Sequence, residues 1–263
     1  MATRYPEGVQ LGLMNNPARD VAKEIARIAG LGFSFVDLTL EPPAARADRV
    51  DTRKVRAALE THGLGVVGHT AYYLPIASAF DAVRDGALRE AERCLKVFAE
   101  IGATVMNLHL DTRVPGHDPA FILRRNREAI ERLLPTAEAH GITLMVENSE
   151  GEDADTMAVV LDGLPTVGLH LDIGHANIGV KKSLAPGLLE RFGDRLKHVH
   201  LSDNKGTRDD HLAIGAGTIS WKRELRALKA TGYDGTVTLE TFYGDSALIL
   251  YSRDKVTALW ASL

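Results

Sequence analysis

The chain has 263 residues, of which 45% are hydrophobic and 25% charged, with a formal net charge of −4 and one cysteine. That balance fits an ordinary globular protein and excludes an internal disulfide framework; it also gives no global positive field for nucleic acid or an anionic membrane. No run approaches the ~20 apolar residues of a membrane span, and the stretch from Met1 to Glu7 lacks an apolar signal core, so the cytoplasm is the expected compartment.

In chain order, residues 9–14 read as a first strand. Ala29-Gly30-Leu31-Gly32 closes a helical segment and leads into a second strand over 33–40. A helix over 51–62 ends at Gly63 before a strand at 64–69, and a helix over 82–101 ends at Gly102 before a strand at 104–110. Cys94 lies in that second helix and is expected as a buried, inert thiol. A helix over 119–140 ends at Gly141 before a strand at 142–147; strands at 167–172 and 196–200 follow. The last full unit is a helix over 221–231, Gly232 and a strand at 236–240. Glycine suits the left-handed position that follows a helix, which explains its place before these strands.

Eight strands alternating with helices imply a parallel sheet, because each strand needs a crossover to return. An open doubly wound sheet usually carries a glycine-rich phosphate loop after its first strand, and Leu13-Met14-Asn15-Asn16-Pro17 offers none. A single (β/α)8 barrel over residues 1–263 is therefore expected, a length such barrels commonly reach.

In such barrels the working residues lie at the C-terminal strand ends. The third to eighth predicted strands end at His69, His109, Glu147, Asp172, His200 and Glu240, all metal-ligand or acid–base types. Strand parity puts Asn107 with His109, His170 with Asp172, His198 with His200 and Thr238 with Glu240, while the alternate face is mostly apolar. So many ionisable groups facing one interior repel and resist burial unless a cation balances them. Imidazole with carboxylate suits zinc, manganese or cobalt, and one to three ions fit the number of candidate ligands. His175, three residues beyond Asp172, and Asp209 and His211, in the loop after His200, extend the set. His170 and His198 sit one layer below the ends and are expected to support the ligands. His62, His117 and His140 are assigned no role. Tyr72, Tyr73, Trp221 and Phe242 are candidates to line the pocket, with packing at least as frequent a role for aromatic residues near a barrel mouth.

Val146-Glu147-Asn148, Leu171-Asp172-Ile173-Gly174-His175, His198-Val199-His200-Leu201-Ser202-Asp203, Asp209-Asp210-His211-Leu212 and Leu239-Glu240-Thr241 together resemble the xylose-isomerase-like barrel superfamily. That superfamily includes sugar-phosphate isomerases and epimerases as well as endonuclease IV. The resemblance to its keto-sugar epimerases implies one metal held by Glu147, Asp172, His200 and Glu240. The two glutamates would then move a proton on the carbon beside a carbonyl while the metal steadies the enediolate. His175, Lys205 and Arg208 would bind substrate hydroxyls or a phosphate. A small sugar or sugar phosphate is the expected partner, and an oligomer is compatible with the sequence.

The resemblance to endonuclease IV implies a different chemistry. All nine of its ligand positions have matches, at His69, His109, Glu147, Asp172, His175, His200, Asp209, His211 and Glu240, which implies three zinc ions and cleavage of a phosphodiester at abasic DNA. Two features speak against it. The first strand lacks a histidine-serine opening, and the rim carries only scattered cations, among them Arg113, Lys181 and Lys182. Isomerase or epimerase chemistry is the expected activity, with the phosphodiesterase as the alternative.

Overall fold

The computed structural model describes residues 8–112, 116–242 and 244–263; Met1–Glu7 and Arg113 lie outside them. Among the described residues eight strands alternate with eight α-helices. The strands are β1 (Gln10–Met14), β2 (Phe35–Leu40), β3 (Gly65–Thr70), β4 (Val105–His109), β5 (Thr143–Glu147), β6 (Gly168–Asp172), β7 (Leu196–Leu201) and β8 (Thr236–Leu239). The helices, in the same order, are α1 (Val21–Gly30), α2 (Thr52–His62), α3 (Asp81–Ile101), α4 (Pro119–Ala139), α5 (Ala154–Leu161), α6 (Ala185–Phe192), α7 (Trp221–Ala230) and α8 (Ser246–Ala261). Each strand pairs in parallel with the next, and β1 pairs with β8, so the sheet closes and has no free edge. The open-sheet alternative is thereby excluded.

Local chemistry sets the helix limits. Asp20, Asp51, Asp118 and Asp153 accept backbone N–H groups at the starts of α1, α2, α4 and α5, satisfying donors that have no partner within the helix. Gly63 and Gly102 follow α2 and α3 with φ of 63° and 94°, a region costly for a residue with a Cβ.

Two apolar layers follow from strand parity. Outward residues such as Val36, Leu38, Leu144, Val146 and Leu169 are buried beneath the helices in the main core. Inside the barrel, Phe35, Val67 and Met145 form a separate small cluster. The ring of Phe35 fills the space left by Gly12, where an added Cβ would come within 2.3 Å of it. Two residues further along the same faces come Asp37, His69 and Glu147. The interior thus changes from an apolar floor to a polar mouth within one repeat of the pleat.

Candidate metal centre

Glu147, at the end of β5, is the meeting point of several strands. Its Oε2 accepts from Asn107 Nδ2 at 2.6 Å and lies 2.9 Å from His109 Nε2, 3.3 Å from His170 Nδ1 and 3.7 Å from His69 Nε2. The Thr39 hydroxyl, 3.0 Å from His69 Nδ1, turns the other nitrogen of that ring toward Glu147. On the far side, His200 Nδ1 lies 3.2 Å from Glu240, 3.7 Å from Asp172 and 3.9 Å from Glu147. Three carboxylates therefore surround one imidazole nitrogen, and Glu147 and Asp172 are almost wholly buried.

The loop residues close a third cluster. His175 Nδ1 lies 2.9 Å from the Asn148 carbonyl and His211 Nδ1 lies 3.1 Å from that of Glu240. A carbonyl only accepts, so each ring donates there and presents Nε2 on its other side. Both Nε2 atoms meet Asp209 Oδ2, at 3.4 Å from His175 and 2.7 Å from His211. His211 adopts φ of 46°, a left-handed conformation unusual outside glycine and found most often where function holds it. Asp203 fixes this loop: it bridges to Leu212, and its carboxyl accepts from the N–H groups of Asn204, Gly215 and Ile219 and from the Trp221 indole.

Charge in this cluster is kept in balance by protons. Burial penalises the Glu147 carboxylate, but His109 and His170 outweigh it and hold the group well below the usual carboxylate range. Burial, joined by the Glu240 and Glu147 carboxylates, pushes Asp172 up to about 7 against the pull of His175. Burial opposes a charge on His200 and His211, yet their carboxylate neighbours prevail; His200 rises well above its ordinary range and His211 reaches about 9.

A divalent cation would satisfy the same carboxylates, and the donor atoms fit one. His69 with His109 and Glu147, Glu147 with Asp172 and His175, and Asp172 with His200 and Glu240 each bring one donor atom apiece within 4.8 Å of one another. His69 Nε2, Asp172 Oδ2 and Asp209 Oδ1 are buried without a hydrogen-bond partner, a costly state that a metal ligand would escape. All nine residues singled out from the sequence, namely His69, His109, Glu147, Asp172, His175, His200, Asp209, His211 and Glu240, come together here.

An open cavity of about 1020 Å³ lies above them, lined by Glu240, His69, His109, His175, Asp209 and His211 and by Tyr72, Tyr73 and Phe242. Trp221 does not line it and takes the packing alternative: the ring is buried and its N–H holds Asp203. Lys205 and Arg208 are absent from the lining as well. The Arg208 side chain is 82% exposed and pairs with Asp210. His117 stacks on Phe121, while His62 ends α2 and His140 follows α4. His170 and His198 lie beneath the centre, and both are fully buried.

Sequence reasoning missed Asp37. It lies on β2, fully buried, with Oδ2 2.7 Å from His200 Nε2 and 3.2 Å from His198 Nε2. A lone carboxylate inside the apolar run Phe35-Val36-Asp37-Leu38 was the available signal.

A closed (β/α)8 barrel gathers carboxylates and imidazoles that could hold a metal ion at its C-terminal mouth. The chain belongs to the xylose isomerase-like TIM barrel family, whose model matches residues 25–258. It is 29% identical over 180 residues to an uncharacterized protein of Methanocaldococcus jannaschii, a stretch that spans 61% of this chain and 61% of that relative. It is 24% identical over 264 residues to the ketose 3-epimerase of Arthrobacter globiformis, covering 94% of this chain and 85% of that one. A crystal structure of a D-tagatose 3-epimerase-like protein superposes with a TM-score of 0.85 and 20% identity, covering 96% of this chain and 97% of the other. Among the described residues no helix is long and apolar enough to cross a membrane.

Proposed function

We propose that this protein is a divalent-metal-dependent sugar isomerase or epimerase in which Glu147 and Glu240 take a proton from a substrate carbon and return it. The observation that carries the reading is the convergence of Glu147, Asp172 and Glu240 on His200 Nδ1 at the base of an open cavity. The similarity to a ketose 3-epimerase supports it. A bound divalent ion supplies positive charge that lowers the cost of ionising a carbon beside a carbonyl. Zinc, manganese and cobalt suit these ligands, and Glu147, Asp172, His200 and Glu240 would hold it.

The remaining steps fall to the side chains. A carboxylate is a weak base, so its value lies in position: held by Asn107 and the surrounding imidazoles, Glu147 is ready to accept a proton without first shedding water. Glu240, which lines the cavity just beyond β8, can deliver a proton from a different side of the barrel mouth. His175, Asp209 and His211 offer donors and acceptors to substrate hydroxyls. Among the described residues the cavity lining contains no lysine or arginine, and a free ketose is the substrate tested first.

The test is incubation of the metal-loaded protein with free ketoses in deuterated water. The reading expects deuterium at one substrate carbon, abolished by chelation and by Glu147→Gln or Glu240→Gln. Absence of exchange across a broad ketose panel, with metal present, would overturn it.

A second reading has its own observation. The cluster of His175, Asp209 and His211 enlarges the centre to nine ligands, enough for three ions and for phosphodiester cleavage at abasic DNA. Among the described residues the lining holds no lysine or arginine, and with the net charge of −4 this counts against DNA as a partner. Chelator-sensitive incision of a duplex with one abasic site, measured at low salt, would establish it.

A further inference from the structure

We infer that Asp37 is a positioning residue that fixes the tautomer and aim of His200. The inference rests on the metal reading of the centre but not on which reaction the centre performs.

A carboxylate can only accept a hydrogen bond. With Asp37 Oδ2 2.7 Å from His200 Nε2, the ring donates from Nε2, so Nδ1, which faces Glu147, Asp172 and Glu240, is the nitrogen whose lone pair a metal would take on displacing its proton. The opposite tautomer would set a lone pair against Asp37 and spend its N–H on Glu240, making Nδ1 useless as a ligand. Asp37 is itself held in place. Its second contact, His198 Nε2 at 3.2 Å, belongs to a ring anchored at Nδ1 by the Thr236 hydroxyl at 2.7 Å. The edge of that ring meets Phe35, whose centroid is 5.8 Å away in the apolar floor. Asp37 is also tied by its backbone into β2, in register with Met14 of β1 and Val67 of β3.

Stability does not account for this carboxylate. A fully buried charge costs desolvation free energy that its pairing rarely repays in full, and apolar replacements of such groups are often neutral or stabilising. A carboxylate behind a metal-binding histidine raises the basicity of the ring and fixes its direction, and losing it typically weakens metal affinity about 10–100-fold. Asp37, buried directly behind His200 and touching no cavity surface, fits that role.

The experiment uses the full chain and zinc alone. Chelator competition measures zinc affinity for the wild type, Asp37→Asn and Asp37→Ala, and thermal unfolding is followed on the metal-free form of each. The inference expects roughly 10–100-fold weaker zinc binding for both variants. Affinity within twofold of wild type would overturn it, as would a loss of metal-free stability with affinity unchanged, which marks a purely structural residue. Should both variants fail to fold, nitrogen-15 spectra of the zinc-loaded wild type decide: His200 protonated at Nε2 supports the inference, and His200 protonated at Nδ1 refutes it. Zinc that binds the wild type at a place other than His200 would refute the metal reading and, with it, the role of Asp37. Loss of sugar exchange with these results intact would count only against the proposed reaction.

Discussion

Replacing Asp203 by alanine tests how the mouth of the barrel is held. Asp203 is fully buried, and its two carboxyl oxygens accept four N–H donors, from Gly215 at 2.7 Å, Trp221 at 2.8 Å, Asn204 at 2.9 Å and Ile219 at 3.3 Å. Each donor left buried and unpaired costs about 1–3 kcal/mol. Water entering the vacated space recovers part of that, and the 3.3 Å contact contributes least, so a net loss of about 3–6 kcal/mol is expected. That is a large share of the ~5–15 kcal/mol that keeps a typical domain folded. Urea unfolding of metal-free protein measures the loss. Because Asp209 and His211 lie in the loop closed by the Asp203–Leu212 bridge, metal affinity should fall as well. Gly217→Ala should reproduce part of the effect, since its Cβ would come within 2.3 Å of Asp203 Oδ1 and 2.1 Å of the Asn204 carbonyl. An Asp203→Ala protein within ~0.5 kcal/mol of wild type, the scatter of an ordinary surface substitution, would refute this account of the loop.

Other predictions follow from charge and exposure. His211 is raised to about 9 by Asp209 and Glu240, so the stability it contributes is fully present below its unfolded value of ~6.5 and is lost as pH rises through about 9. Metal-free protein should therefore lose melting temperature between pH 7 and 9, by a free energy on the order of 2–3 kcal/mol from this group, and a flat profile would contradict the pairing. Burial pushes the Cys94 thiol up to about 12, so a thiol reagent should label it only after unfolding; rapid labelling of native protein would contradict its place in α3. Lys205→Ala and Arg208→Ala should each leave sugar exchange within about twofold, because surface substitutions away from a site change little. A tenfold loss in either would bring that loop into the substrate site.

The barrel and most of the candidate centre are written in strand periodicity. Counting back from the polar strand ends placed His109, Glu147, Asp172 and His200 on one interior face, since side chains alternate with an invariant period. Glu240, just beyond β8, followed from the same count. Asp37 is not legible in this way because β2 ends at Leu40, an apolar residue, with the carboxylate three positions upstream in the layer below. Its significance lies in a contact with His200, 163 residues away, which no local pattern carries. Loop residues divide in the same manner. His175 is bound to the strand end by its short distance from Asp172, and its backbone N–H does donate to Asp172 Oδ1 at 2.7 Å. Lys205 and Arg208 have no such tether, and their direction depends on Asp210 and on the bridge at Asp203. Trp221, which the sequence leaves open between pocket and packing, is a buried hydrogen-bond donor, because an indole N–H beneath a loop needs an acceptor and Asp203 provides it.

The central claim, that the strand-end carboxylates and imidazoles form a divalent-metal centre, is tested most directly by anomalous diffraction from crystals grown with zinc or manganese. The account predicts an anomalous peak about 2.0–2.2 Å from carboxylate oxygens of Glu147, Asp172 and Glu240 and from His200 Nδ1. Further peaks beside His69 and His109, and among His175, Asp209 and His211, would mark a three-ion cluster and favour phosphodiester chemistry. Clear density for all nine side chains with no anomalous peak among them, at saturating metal, would contradict the claim.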